Sequence, residues 1–150
     1  MKNPCQKLES LFHHSIPITL SMGVKVVDYD GCRLQLSADF DKNRNIHGTG
    51  FAGSLYSLSA LAGWGLLYLR LDEENLRTKL VVQEGTIKYN FEVIGSLDAE
   101  CVLNMDDFGR FLVELKQNHG SSIQLTSTID CNNKIAALYT GKYVGKLDNR

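Results

Sequence analysis

Residues 45–69 read NIHGTGFAGSLYSLSALAGWGLLYL and contain no Asp, Glu, Lys or Arg, although 22% of the chain is charged. The second half of this stretch is apolar on nearly every face, and a helix without a polar stripe must be surrounded by protein or lipid. The first half, Asn45 to Ser54, is small, Gly-rich and rich in hydrogen-bonding groups, as suits a backbone that approaches a ligand closely. The stretch therefore predicts a buried central helix, running to about Leu71, whose N-terminus opens on the active site. It is long enough to span a bilayer, but His47, Thr49 and the Ser and Gly residues dilute it, and alternating strands surround it, so a membrane span is disfavoured.

Outward from that helix the chain is strand-rich. Before it, Leu8, Leu11 and Phe12 fall at helical spacing over Gln6 to His14, and Pro17 closes that helix. Ile18, Leu20, Met22, Val24 and Val26 then alternate with polar residues as a half-buried strand. Asp30-Gly31 is a hairpin signal, and Cys32 to Phe40 alternate on the way back. After the charged segment Asp72 to Arg77, Leu80 and Val82 sit in one phase while Ile87, Tyr89, Phe91 and Val93 sit in the other. A β-bulge near Glu84-Gly85 absorbs the slip. Gly95-Ser96 turns into a strand from Leu97 to Met105. Phe108, Phe111, Leu112 and Leu115 then mark a short helix, with Asp106 or Asp107 as N-cap and Gly120 as its stop. Two strands follow, Ile123 to Asp130 and Ile135 to Val144, joined at Asn132-Asn133.

At 150 residues with no linker or charge block, one domain is expected. The net charge of −1 with scattered Lys and Arg leaves no footprint for nucleic acid or anionic lipid. Cys5, Cys32, Cys101 and Cys131 lack metal-ligand spacing, which suits reduced thiols in a cytoplasmic protein, and MKNPCQKLES lacks the apolar core of a signal peptide. The element order fits an antiparallel sheet curled round one helix.

This order, with Asn45-x-x-Gly48-Thr49-x-Phe51-Ala52-Gly53-Ser54 opening the helix, resembles the hot-dog fold of acyl-thioester enzymes, an α+β architecture. The resemblance covers nearly the whole chain. Within that superfamily the 45–69 stretch is most similar to a small group found alone or fused behind an acetyltransferase-like (GNAT) domain. That group carries the label "putative thioesterase" and is associated with malonyl-ACP decarboxylation. The resemblance implies a homo-oligomer, at least a dimer, with sites between subunits. It also implies a substrate carried on the phosphopantetheine of ACP or CoA, and no metal or organic cofactor.

A helix N-terminus presents unpaired N–H groups and partial positive charge, so it can hold an oxyanion. Ala52, Gly53 and Ser54 offer little bulk there. Read from the residues alone, Gly48, Gly50 and Gly53 serve tight turns and packing equally well. In hot-dog hydrolases with the pattern N-x-x-G-x-x-H-G-G, the last His would fall on Phe51 and the helix carboxylate near Ala60. Neither is present, and no Asp or Glu lies between Asp41 and Asp72. Hydrolysis would need a carboxylate from elsewhere, such as Glu84 or a partner subunit.

Decarboxylation of a malonyl thioester to the acetyl thioester requires instead that enolate charge be stabilised, which an Asn amide with helix N–H groups can do. Asn45 is the first candidate for catalysis and His47 the second; Asn43 is less favoured. Thr49, Phe51, Ala52, Gly53 and Ser54 are the candidate substrate contacts, with Thr49 also the expected helix N-cap. Ser54, Ser57 and Ser59 are expected to bond back along the helix. Trp64, Tyr56 and Tyr68 read as core, and Lys79, Lys88 and Arg110 as solvated surface that could meet a phosphate. A thioesterase and a non-catalytic acyl-thioester-binding module are the alternative readings.

Overall fold

A computed structural model describes residues 2–148. In chain order the elements are α1 (Pro4–Ser15), α2 (Pro17–Ser21), β1 (Lys25–Tyr29), β2 (Arg33–Ala38), α3 (Ala52–Glu73), β3 (Thr78–Tyr89), β4 (Leu97–Val102), α4 (Met105–Asn118), β5 (Gly120–Cys131) and β6 (Lys134–Leu147). The strands form one antiparallel sheet in the order β1-β2-β4-β5-β6-β3. The central helix α3 packs against β2, β3, β4, β5 and β6 and against α1. No residue from Gly53 to Leu71 is exposed, so this part of the helix is enclosed, as the absence of charge up to Leu69 requires. This is the expected hot-dog architecture.

Glycines let neighbours reach the helix axis. At Gly65 a Cβ would stand 2.9 Å from both Leu8 Cδ2 and Leu34 Cδ2 and 3.1 Å from Phe12 Cζ, so α1 and β2 converge there. At Gly63 a Cβ would lie 2.3 Å from the hydroxyl of Tyr143, which is buried on β6 and donates to the Ala60 carbonyl at 2.7 Å. Ser127 of β5 likewise donates to the Ser59 carbonyl at 2.9 Å. Sheet and helix are thereby joined by hydrogen bonds as well as by apolar contact. Trp64 and Tyr68 stack at 5.2 Å and Trp64 Nε1 donates to Leu80 O, while Tyr56 meets Tyr139 edge-on at 5.3 Å. Trp64, Tyr68 and Tyr56 all pack half-buried against the core.

The expected turns are present. The Asp30 carboxylate accepts from the Cys32 and Arg33 N–H groups while Gly31 adopts φ 95°. Asn132 and Asn133 both have positive φ, as a two-residue turn between β5 and β6 demands. The β3–β6 register shifts between Val82 and Glu84, where the phase slip placed the bulge.

Four expectations are corrected. Ile18 to Ser21 are helical, because Pro17 sits at the first helical position, where its missing N–H is harmless, and Thr19 Oγ1 donates to Ile16 O. The phase inverts there: Thr19 is buried and Ile18 and Leu20 are exposed, so the strand begins only at Lys25. The N-cap of α4 is Asn104, whose side chain accepts from Asp107 N, leaving Asp106 and Asp107 to complement the dipole in the first turn. Met105 therefore begins this helix rather than ending a strand. The same helix stops at His119, in the left-handed region at φ 60°, and Gly120 already belongs to β5.

The solvent face of the sheet carries like charges in register. Asp98 on β4 pairs directly with Asp130 on β5, and Asp130 is held above the usual carboxylate range by burial and by the charges of Glu100 and Asp98. Opposed like charges weaken a sheet. Asp130→Asn is therefore expected to raise Tm by about 1–3 °C at neutral pH. A group whose pKa is raised on folding destabilises most where it is forced to ionise, so the advantage should fade as pH falls through the Asp130 titration. Thermal melts of both proteins across acidic and neutral pH check this.

Candidate active site

The loop between β2 and α3 is folded on the Asn45 side chain. Its Oδ1 accepts from the backbone N–H groups of His47 (2.9 Å) and Thr49 (3.1 Å), and its Nδ2 donates to Thr49 Oγ1 (2.9 Å). Asn45 N also donates to Thr49 O at 2.7 Å, and Gly48 closes the turn at φ 75°. One proton on Nδ2 and the hydroxyl proton of Thr49 remain to donate outward. Two further bonds fix the loop to the body: Gly50 N to Val93 O and Phe51 N to Asn43 O, each 2.7 Å.

Phe51, not Thr49, is the N-cap of α3, and it has no side chain to cap with. Thr49 is engaged by Asn45 instead. The N–H groups of Ala52, Gly53 and Ser54, the first three helical residues, consequently lack both an intrahelical acceptor and a side-chain cap. No acidic residue occupies the first turn. Ser57 and Ser59 do bond back, to Gly53 O and Leu55 O, whereas the Ser54 hydroxyl makes no such bond among the described residues.

The predicted residues gather at two adjoining pockets rather than one. The first, of about 340 Å³, is lined by Asn45, His47, Thr49 and Ala52 together with Tyr89, Phe91, Glu92 and Val93. The second, of about 390 Å³, is lined by Phe51, Gly53 and Ser54 together with Ile18, Lys42 and Asn43. Phe51 divides them. Its ring lies against the α-carbon of Gly53, where a Cβ would come within 2.6 Å of Phe51 Cε1. Tyr89 buttresses the helix start by donating its hydroxyl to Ala52 O at 2.8 Å, and burial pushes its phenol pKa up.

His47 is exposed, the bond that ties it into the loop comes from its backbone N–H, and among the described residues no acid pairs with its imidazole. Ala60, where the hydrolase pattern would set a carboxylate, contributes its carbonyl to Tyr143. Glu84 lines neither pocket; the carboxylate that does line the first is Glu92. Sequence reading missed it because residues 90–96 lie outside β3 and are tied to the loop by the Gly50–Val93 bond. Lys79, Lys88 and Arg110 line neither pocket, and Arg110 is paired with Asp107; the cation at the second pocket is Lys42.

Cys5, Cys32, Cys101 and Cys131 are all free. Burial pushes the Cys101 thiol up to about 11, so it is no ready nucleophile. Among the described residues no three His, Cys, Asp or Glu side chains are grouped to hold a metal ion, and no helix is long and apolar enough to cross a membrane.

A family model described as "Putative thioesterase (yiiD_Cterm)" matches residues 5–146. The crystal structure of a protein of unknown function from Chlorobaculum tepidum is similar at 30% identity and TM-score 0.93, over 96% of this chain and 94% of that one. A structure titled putative thioesterase from Shewanella oneidensis matches at 24% identity and TM-score 0.84, over 97% and 99% of the two chains. A Pseudomonas aeruginosa protein titled probable thioesterase matches at 19% identity and TM-score 0.85, over 99% of each. These last two bear on the fold alone.

Proposed function

Because the chain belongs to this "putative thioesterase" family of hot-dog proteins, we propose that it acts on an acyl thioester at the first turn of α3, and that its reaction is decarboxylation of a malonyl thioester. The bond from the thioester α-carbon to the carboxylate breaks, CO2 departs, and the electron pair passes into the enolate of the thioester. A proton from solvent then gives the acetyl thioester. The step needs donors at the developing oxyanion and no activated water.

One observation carries this reading. Among the described residues the Asn45 amide is held by three loop hydrogen bonds with one N–H free, beside helix N–H groups that no side chain caps. Asn45 is the proposed catalytic donor, with Thr49 orienting it and Ala52 N–H as the second donor. Phe91, Val93 and Leu55 supply an apolar wall to the pocket. His47 lies at the pocket rim as a binding contact.

The malonyl group would arrive on the phosphopantetheine of ACP or CoA, and its acetyl product would support initiation of fatty-acid synthesis in the cytoplasm. A second copy of the chain is the proposed cover for the exposed apolar side chains around the site. These include Ile46 at 94% exposure and Ile94 at 66%, with the free edge of β3 nearby.

Glu92 favours a second reading, thioester hydrolysis with that carboxylate as general base. The pure protein incubated with malonyl-ACP, and separately malonyl-CoA, separates the two by carrier mass and free thiol. Acetyl-carrier without free thiol is expected; free thiol would mean hydrolysis, and no change with either carrier would favour a binding module. Glu92→Gln should leave decarboxylation within about twofold, whereas a hydrolase would lose at least about 100-fold.

A further inference from the structure

The start of α3 has neither a side-chain cap nor an acidic residue in its first turn, and helix ends held only by their own bonds fray. Among the described residues one side chain of the sheet bonds to this turn: the Tyr89 hydroxyl donates to Ala52 O at 2.8 Å. Tyr89 is the last residue of β3, in register with Ala137 of β6, and the next residue is tied down too, Asn90 N to Ala136 O at 2.7 Å. Its side chain lines the pocket that Asn45, Thr49 and Ala52 also line. The bond therefore carries the position of the sheet into the residue whose N–H is assigned to the substrate oxygen.

A second phenol makes the same bond about two turns farther along the helix, Tyr143 to Ala60 O at 2.7 Å. The two differ in their surroundings. Tyr143 is fully buried, so its hydroxyl has to be satisfied within the protein and the bond belongs to the core. Tyr89 is 44% exposed, and water can serve both its hydroxyl and the exposed Ala52. Such a bond adds little to folding. What water does not supply is a fixed direction for the helix end. We propose that Tyr89 is a positioning residue: by holding Ala52 O it fixes the first residue of α3 so that Ala52 N–H meets the carbonyl oxygen of the substrate. The inference rests on the thioester reading. A hydrogen bond to a peptide carbonyl also polarises the N–H of the same peptide, here that of Gly53, which gives the bond a spectroscopic signature.

The test compares Tyr89→Phe with Tyr143→Phe in the whole protein, each losing one phenol-to-helix bond. Tyr89→Phe should lower kcat with malonyl-ACP about tenfold and leave KM within about twofold, since a donor misplaced by about 1 Å can cost about 100-fold. Its Tm should move by less than about 2 °C, and the Gly53 amide proton should move upfield in the NMR spectrum. Tyr143→Phe should do the reverse, lowering Tm by about 2–4 °C while kcat stays within about twofold. Near-native kcat in Tyr89→Phe, equal losses of kcat in the two variants, or an unmoved Gly53 signal would each overturn the proposal. Hydrolysis develops charge on the same carbonyl oxygen. Free thiol released about tenfold more slowly by Tyr89→Phe would therefore overturn decarboxylation and support the positioning. A wild-type protein that turns over neither malonyl-ACP nor malonyl-CoA would overturn both.

Discussion

Asn45→Asp is expected to lower kcat for malonyl-thioester decarboxylation by about 100- to 1,000-fold, the usual loss for one oxyanion donor, while the protein stays folded. The substitution is chosen for what it leaves in place. Asn45 Oδ1 accepts from two backbone N–H groups, and a carboxylate can accept both, so the turn from Asn45 to Thr49 persists. What disappears is the Nδ2 donor, and a negative charge takes its place beside the developing enolate. Asn45→Ala removes the acceptor too and would confound loss of the donor with loss of the loop. Steady-state kinetics with malonyl-ACP, alongside thermal melts of both variants, check the expectation. Near-native turnover by the Asn45→Asp protein would remove Asn45 from the chemistry.

Gly63→Ala should be the most damaging small change in the central helix. On helix propensity alone it would stabilise by about 1 kcal/mol. The added methyl, however, would meet the Tyr143 hydroxyl at 2.3 Å and its Cζ at 2.6 Å, and Tyr143 is fully buried and tied to Ala60 O. Either the helix moves away from β6 or the tyrosine gives up its hydrogen bond. Overpacking of this kind typically costs about 1–3 kcal/mol and an orphaned buried hydroxyl about as much again. A net loss of about 2–3 kcal/mol, or roughly 5–10 °C in Tm, is expected from calorimetry or a denaturant melt. An unchanged or raised Tm would mean that the helix–sheet spacing is looser than the contact implies.

The parts of the fold that were legible from the residues are those in which one physical constraint dominates. A run without charges from Asn45 to Leu69 can only be an enclosed helix, and the phase slip between Val82 and Ile87 can only be absorbed by a bulge. Ile18 to Met22 misled because alternation over so few residues is also compatible with one helical turn, and Pro17 decided for the turn. Asn104 lost to Asp106 and Asp107 as the expected cap because all three are good capping residues and only the backbone path selects among them. At the site, Asn45 and Thr49 were legible as a pair of hydrogen-bonding loop residues, but not the bonds between them that displaced Thr49 from the cap. Glu92 comes from beyond β3 and Tyr89 from its last residue, and no local pattern announces which strand end will abut a distant loop.

Apart from the His47 imidazole at the pocket rim, the groups that the loop and helix start would offer the proposed substrate are a carboxamide, a hydroxyl and backbone N–H groups. None of them gains or loses a proton under conditions in which proteins remain folded. A decarboxylase made from such parts has no acid or alkaline limb of its own. Its kcat should stay level across the neutral range, whereas that of a carboxylate-driven hydrolase would fade on acidification. Such an enzyme does not sense the acidity of its surroundings; it reports only how much malonyl thioester is delivered to it.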